Sequence, residues 1–156
     1  MITDTGVQPL ATGVLMLSSA RLQTIICTSR IQEAERFYSE VLGLSLKGRA
    51  MGALVYDVQG SALRVSQVTS TNPSEHTVMG FAVSDLRTVM AALGQRGVVW
   101  EHFPNFPQDA EGVLHAPDGS QVAWFRDPDR NLLSIVQYPE DQTWSPKFDK
   151  KRGKSR

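Results

Sequence analysis

The chain has 156 residues, of which 41% are hydrophobic and 21% charged, and its formal net charge is zero. That composition excludes a disordered or strongly polyelectrolyte protein, and the length suits one compact domain or two small fused modules. The charge is unevenly spread: residues 147–156 hold six basic side chains against Asp149, a net +5, and the rest of the chain carries −5.

At the N-terminus, residues 1–20 contain no Lys or Arg, so the basic start of a secretory signal is missing. The apolar stretch Gly13–Leu17 is far too short to span a membrane. Residues 1–19 read as an arm that is mobile or packs on a partner subunit. Cys27 is the one cysteine, so no intrachain disulfide forms, which fits a reducing, cytoplasmic setting. The basic tail, residues 140–156, reads as a solvated terminus. It lacks the interleaved aromatics and the reading motif of a nucleic-acid binder.

Regular patterning begins at Leu22. Leu22–Cys27 is a short apolar run with β-branched residues, a strand signal. Ser29 with Gln32 three positions on forms a capping-box pattern, and Ile31, Ala34, Phe37, Tyr38, Val41 and Leu42 recur at helical spacing. Gly43 stops that helix, because glycine enters the left-handed region cheaply. Leu44–Arg49, Ala53–Val58 and Ala62–Val68 follow as strands, separated by turns at Met51-Gly52 and Gln59-Gly60. The same order then returns. Thr77–Ser84 is a strand, Asp85 an N-cap, and Leu86, Val89, Met90 and Leu93 fall at i, i+3, i+4 and i+7. Gly97 ends the helix, and Val98–Phe103 reads as a strand. A polar insertion, Pro104–Glu111, precedes strands at Gly112–Ala116, Gln121–Arg126 and Asn131–Tyr138. The pattern is strand–helix–strand–strand–strand, twice, and such a repeat constrains the whole architecture. We therefore expect an α+β fold of two tandem βαβββ modules, residues 20–72 and 73–139, making a curved mixed sheet with a concave ligand cleft.

Two segments carry a family resemblance. Val122-Ala123-Trp124-Phe125-Arg126-Asp127-Pro128-Asp129-Arg130-Asn131-Leu132-Leu133 resembles the final hairpin of vicinal-oxygen-chelate proteins, the glyoxalase, bleomycin-resistance and extradiol-dioxygenase group. Ala34-Glu35-Arg36-Phe37-Tyr38-Ser39-Glu40-Val41-Leu42-Gly43-Leu44 resembles their first helix. The resemblance spans roughly residues 21–138 and speaks for fold more than for function, since the group hosts many activities. It departs at Arg130, where relatives commonly carry glycine; arginine at positive φ costs on the order of 1 kcal/mol.

Metal-dependent members of that group place ligands on the first and last strands of each module. Gln23 lies six residues before Ser29, as Met79 lies six before Asp85, and Gly60–Gln67 aligns with Arg130–Gln137, which pairs Arg64 with Ser134. The positions implied are Gln23, Arg64, Met79 and Ser134. Met79 is a soft ligand, Ser134 and Gln23 are weak ones, and Arg64 is a permanent cation that repels a metal. We therefore expect neither metal nor cofactor. His76, His102 and His115 show no short ligand spacing.

By strand alternation the cleft also carries Ile25, Cys27, Phe81, Leu132 and Val136, with His102 or His115 at its mouth and Trp124 as a stacking surface or a packing residue. Cys27 reads as a small buried hydrophobe, with a nucleophile as the alternative. A mostly apolar lining with one arginine suits a small anionic or aromatic organic ligand. The resemblance implies a metal-free binding protein of bleomycin-resistance type, acting as a homodimer without membrane or nucleic-acid partners. The alternative is a lyase, isomerase or dioxygenase on a small oxygenated substrate, and the sequence leaves open whether any reaction is catalysed.

Overall fold

The computed structural model describes residues 16–140; the expected basic tail and most of the expected N-terminal arm lie outside them. The first module runs β1 (Gln23–Thr28), α1 (Ile31–Arg36), β2 (Ser45–Ala50), β3 (Ala53–Val58) and β4 (Ser61–Gln67). The second runs β5 (Met79–Ala82), α2 (Leu86–Gln95), β6 (Leu114–His115), β7 (Gln121–Arg126) and β8 (Leu132–Gln137). The halves share one topology. Strand order is β1-β4-β3-β2 in one four-stranded sheet and β5-β8-β7-β6 in the other. In each sheet the first strand lies parallel to the last, and the remaining pairs are antiparallel. The expected two-module α+β fold is thus present, built as two sheets. Among the described residues no helix is long and apolar enough to cross a membrane.

Local chemistry explains most boundaries. Asp85 caps α2 by accepting from the Thr88 amide at 3.1 Å. Gly43 and Gly97 take φ of +71° and +95° just beyond the two helices, where a Cβ would be strained. α1 runs on into a wide turn over Phe37–Val41, in which the Leu42 amide donates to the Phe37 carbonyl at 2.8 Å. From the second module, Arg96 donates to the carbonyls of Glu40 and Val41 at 3.3 and 3.2 Å, which satisfies the open end of that turn.

Two expectations shift. The cap of α1 is Arg30, without a side-chain hydrogen bond, and not Ser29. The segment Val98–Phe103 is not a strand. Its backbone bonds to β7 only through Glu101, whose amide donates to the Trp124 carbonyl at 2.8 Å. The Gln108 amide intercepts its neighbours, accepting from the Phe103 amide at 2.8 Å and donating to the carbonyls of Glu101 and Gly112 at 2.9 and 2.7 Å. One insertion side chain thus does the work of a strand partner.

The modules share a core. Ile26, Tyr38, Leu54, Tyr56, Leu63 and Val65 from the first half form one apolar cluster with Leu86, Met90, Val113, Phe125, Leu133 and Ile135 from the second. The end of α1 is its hinge: Tyr38 packs on Tyr56 with ring centroids 6.1 Å apart, and Phe37 on Phe125 at 6.3 Å. A polar clasp joins the halves beside it. Asp129, 5% exposed, accepts from the Ser29 amide and hydroxyl at 2.8 and 2.7 Å, from the Thr71 hydroxyl at 3.2 Å and from the Thr28 hydroxyl. Asp127 accepts from the Tyr38 hydroxyl at 2.7 Å, and the Asn131 amide group donates to the Cys27 carbonyl at 3.1 Å.

Arg130 closes the turn that presents both aspartates, and it does adopt φ of +70°. Its ion pair with Glu101, 3.5 Å apart, is exposed and contributes little. Arg130→Gly is expected to stabilise the fold by about 0.5–1 kcal/mol by relieving that conformation, read as a higher melting temperature at matched protein concentration.

Candidate functional site

Each sheet turns one face to the shared core, and its other face is bare or only partly covered among the described residues. On β1, Ile26 and Thr28 are buried, and Gln23, Ile25 and Cys27 alternate with them on the bare side. On β4, Leu63 and Val65 are buried while Ala62, Arg64 and Ser66 face outward. The register sets Arg64 between Ile25 on β1 and Val55 on β3, with Cys27 beside Ser66 and Gln23 beside Ala62. Arg64 therefore does lie on the bare face. Its guanidinium donates to the Ala50 carbonyl at 3.3 Å, and among the described residues it has no acidic partner. Cys27 is exposed, not the buried hydrophobe expected, because it lies on the side of β1 turned away from the core and no described residue covers it.

On the second sheet the bare face carries Gly80 and Ala82 of β5, Ser134 and Val136 of β8, and Val122 and Trp124 of β7. With Thr77 and Tyr138 they enclose a cavity of about 350 Å³. Trp124 is held in place: its indole Nε1 donates to the Thr77 hydroxyl at 2.9 Å, and the Phe103 and Phe106 rings meet it edgewise at 5.7 and 5.6 Å.

Met79 and Phe81 do not join this face. Both pack against the core on the helix side, Phe81 over a void of about 140 Å³ shared with Leu42, Val83 and Val89. Leu132 shares the face of Ser134 and is itself buried at the start of β8. For Met79 and Phe81 the cause is a single displaced anchor. Aligning Ser29 with Asp85 as caps paired Gln23 with Met79, but the true cap is Arg30. With Arg30 matched to Asp85, Ile25 matches Gly80, and the registers agree: Ile25 lies beside Arg64 and Gly80 beside Ser134. A slip of one residue moves a side chain to the opposite face.

His115 also leaves the expected cleft. It turns toward α2, where its Nε2 lies 3.0 Å from Asp109, and Arg87 bridges Asp109 at 2.6 Å and Glu111. The hydrogen bond from Arg87, with help from His115, holds the Asp109 carboxyl far below the usual carboxylate range. Arg87, Asp109 and Glu111 of this cluster wall a separate, open cavity of about 850 Å³ between α2 and the insertion, together with Met90 and Trp100. Trp100 belongs to that side too, packed edge-on against Phe125 at 5.5 Å. Of the expected site residues, the structure thus puts Gln23, Cys27 and Arg64 on one bare face and Trp124 and Ser134 on the other. Sequence reading missed Thr77, Gly80 and Tyr138. A glycine inside a strand marks a close approach, and Gly80 carried that signal.

A divalent cation does not fit these faces. Among the described residues no three His, Cys, Asp or Glu side chains come together as a ligand set. Where a ligand would be needed, Arg64 places a permanent positive charge.

No protein-family model and no curated protein matches the chain. Solved structures do. A glyoxalase/bleomycin resistance protein/dioxygenase from Alicyclobacillus acidocaldarius superposes with a TM-score of 0.58 at 22% identity, covering 78% of this chain and 92% of its own. Lactoylglutathione lyase from Agrobacterium tumefaciens gives 0.59 at 17%, with 76% and 93% covered. An antibiotic binding protein from Streptomyces sp. CB03234 gives 0.60 at 22%, with 80% and 100% covered. With the repeated topology and the closing hairpin, these likenesses establish that the chain has the glyoxalase/bleomycin resistance/dioxygenase fold, that of the vicinal-oxygen-chelate proteins.

Proposed function

We propose that this protein binds a small organic molecule, anionic or aromatic, on its bare sheet faces without a metal, and that it does so as a cytoplasmic homodimer. The observation that carries the reading is Arg64: an arginine with no acidic partner within ion-pair distance among the described residues, flanked by Ile25 and Val55 on a face that also carries Gln23, Cys27, Asp57, Ala62 and Ser66. A guanidinium so placed is a ready receptor for a carboxylate, phosphate or enolate. The antibiotic binding protein of like fold supports the choice of a binding role. Geometry supports the dimer. Both sheets turn their covered faces to one shared core, so their bare faces point away from it. Ile25, 57% exposed, sits in the open on the first of them. A ligand touching both kinds of face needs a second copy of the chain.

Native mass spectrometry of protein incubated with cytosolic extract tests this in one measurement. The expected species is a dimer retaining an organic ligand, with far less than one equivalent of Fe, Mn, Ni or Zn per chain. Arg64→Ala is expected to weaken an anionic ligand by roughly 10–100-fold, the worth of a charge-assisted hydrogen bond. Stoichiometric metal would sink the reading. A metal-independent enzyme, in which Arg64 steadies an enolate, has one observation in its favour: Cys27 is exposed on Arg64's own face. Turnover that survives a chelator and vanishes in Cys27→Ser would select it.

A further inference from the structure

We propose that the cavity on the second sheet is a subsite for a flat, uncharged aromatic ring bearing a hydroxyl or carbonyl on its rim, which meets the Ser134 hydroxyl. The inference rests on the binding role argued above and names the chemistry of one end of the ligand.

Ser134 is the first ground. It is 8% exposed, one of five buried polar residues, and the other four all have side-chain hydrogen bonds: Thr28 and Asp129 to each other, Ser120 to Asp118, and Asp127 to Tyr38. The Ser134 hydroxyl has no such partner among the described residues, although no fully sealed side-chain oxygen or nitrogen there lacks one. Its oxygen is therefore open, and what it opens onto is the cavity it lines. A hydroxyl both donates and accepts, so either a phenol or a ketone satisfies it.

The second ground is the row in which Ser134 stands. Register places Gly80 on one side of it and Trp124 on the other, across three strands and on one face. A Cβ at position 80 would lie 2.7 Å from the Ser134 oxygen. The bare glycine therefore gives the hydroxyl its position and leaves a low floor beside it. Trp124, fixed by Thr77 and two phenylalanine rings, is a wall that needs no ordering on binding.

Charge is the third. The residues enclosing this cavity include no Asp, Glu, Lys or Arg, whereas the first sheet's bare face carries Arg64. A charged group buried here would be uncompensated. Volume agrees: about 350 Å³ exceeds the ~150 Å³ that admits benzene in an engineered cavity.

Calorimetric titration of the full chain with 2-naphthol, decahydro-2-naphthol and octanoate tests the subsite. 2-Naphthol is expected to bind at least tenfold more tightly than its saturated analogue. Ser134→Ala should weaken it about tenfold, Trp124→Leu at least as much, and Trp124→Phe less. Because Trp124 also holds Phe103 and Phe106, the single-oxygen change at Ser134 is the deciding variant. Equal affinity for the flat and saturated probes, or unchanged 2-naphthol affinity in Ser134→Ala, overturns the subsite. Arg64-dependent binding of octanoate with no binding of 2-naphthol overturns the subsite and leaves the binding role standing. Failure of all three probes to bind rejects both.

Discussion

Replacing Asp129 with alanine is expected to cost about 3–5 kcal/mol of unfolding free energy, read as a large drop in urea midpoint with an unchanged slope. One carboxylate collects four hydrogen bonds from the first module: two from Ser29 and one each from the Thr28 and Thr71 hydroxyls. Thr28 is fully buried and has no water to turn to, so removing the acceptor leaves donors stranded. An unchanged midpoint would show that the clasp adds nothing and that the apolar core alone joins the modules.

The acid limb separates the two aspartates of this turn. Burial pushes the Asp129 carboxyl up, but the hydrogen bonds from Thr28, Ser29 and Thr71 outweigh it and hold the group below the usual carboxylate value. Its contribution is therefore complete above the unfolded-state value of about 3.9 and is lost as pH falls through the lower folded-state value. Asp127 behaves oppositely. Burial raises its carboxyl, against hydrogen bonds from Asn131 and Tyr38, so the ionised form costs the fold stability near neutrality and protonation relieves that cost as pH falls toward about 4. Tyr38 stays a neutral donor throughout, its phenol pushed far up by burial and by Asp127. Asp129→Ala should lose the steep decline below about pH 4. It should also lower the Asp127 titration, because a neighbouring negative charge is gone.

Much of the fold was legible because its signals are local. Gly43, Gly97 and Asp85 mark helix ends by their own backbone or side-chain chemistry, and those positions hold. Ser29 was misread because its capping side chain is spent on Asp129, a partner 100 residues away that no local pattern announces. That misreading displaced one strand of the site by one residue and exchanged Gly80 for Met79. The strand expected at Val98–Phe103 failed for a similar reason, since the Gln108 side chain takes its backbone partners. Cys27 looked buried by residue type, yet its exposure depends on what covers a sheet face, which is a property of assembly. Arg64 and Ser134 lie on the strand faces expected of them, because β4 carries an unbroken alternation and β8 a clear internal alignment to it.

Phe125→Ala should be as damaging as loss of the clasp, and it tests a different claim, that the modules fold as one. Phe125 is fully buried where the halves meet, with Phe37 of the first module on one side and Trp100 of the second on the other. Truncating such a ring leaves a cavity that the surrounding rings cannot close, at a cost of about 3–5 kcal/mol. If the core is shared, amides of β3 in the first sheet and β7 in the second lose hydrogen-exchange protection by the same amount, although the substitution lies in only one of them. Independent modules would behave otherwise: β7 would open early while β3 kept its full protection, and unfolding would split into two steps. The single apolar cluster running from Ile26 and Tyr56 to Leu133 and Ile135 favours the first outcome. That outcome also bears on binding, because a rigid junction fixes the directions in which the two bare faces look, and with them the geometry a second copy must meet.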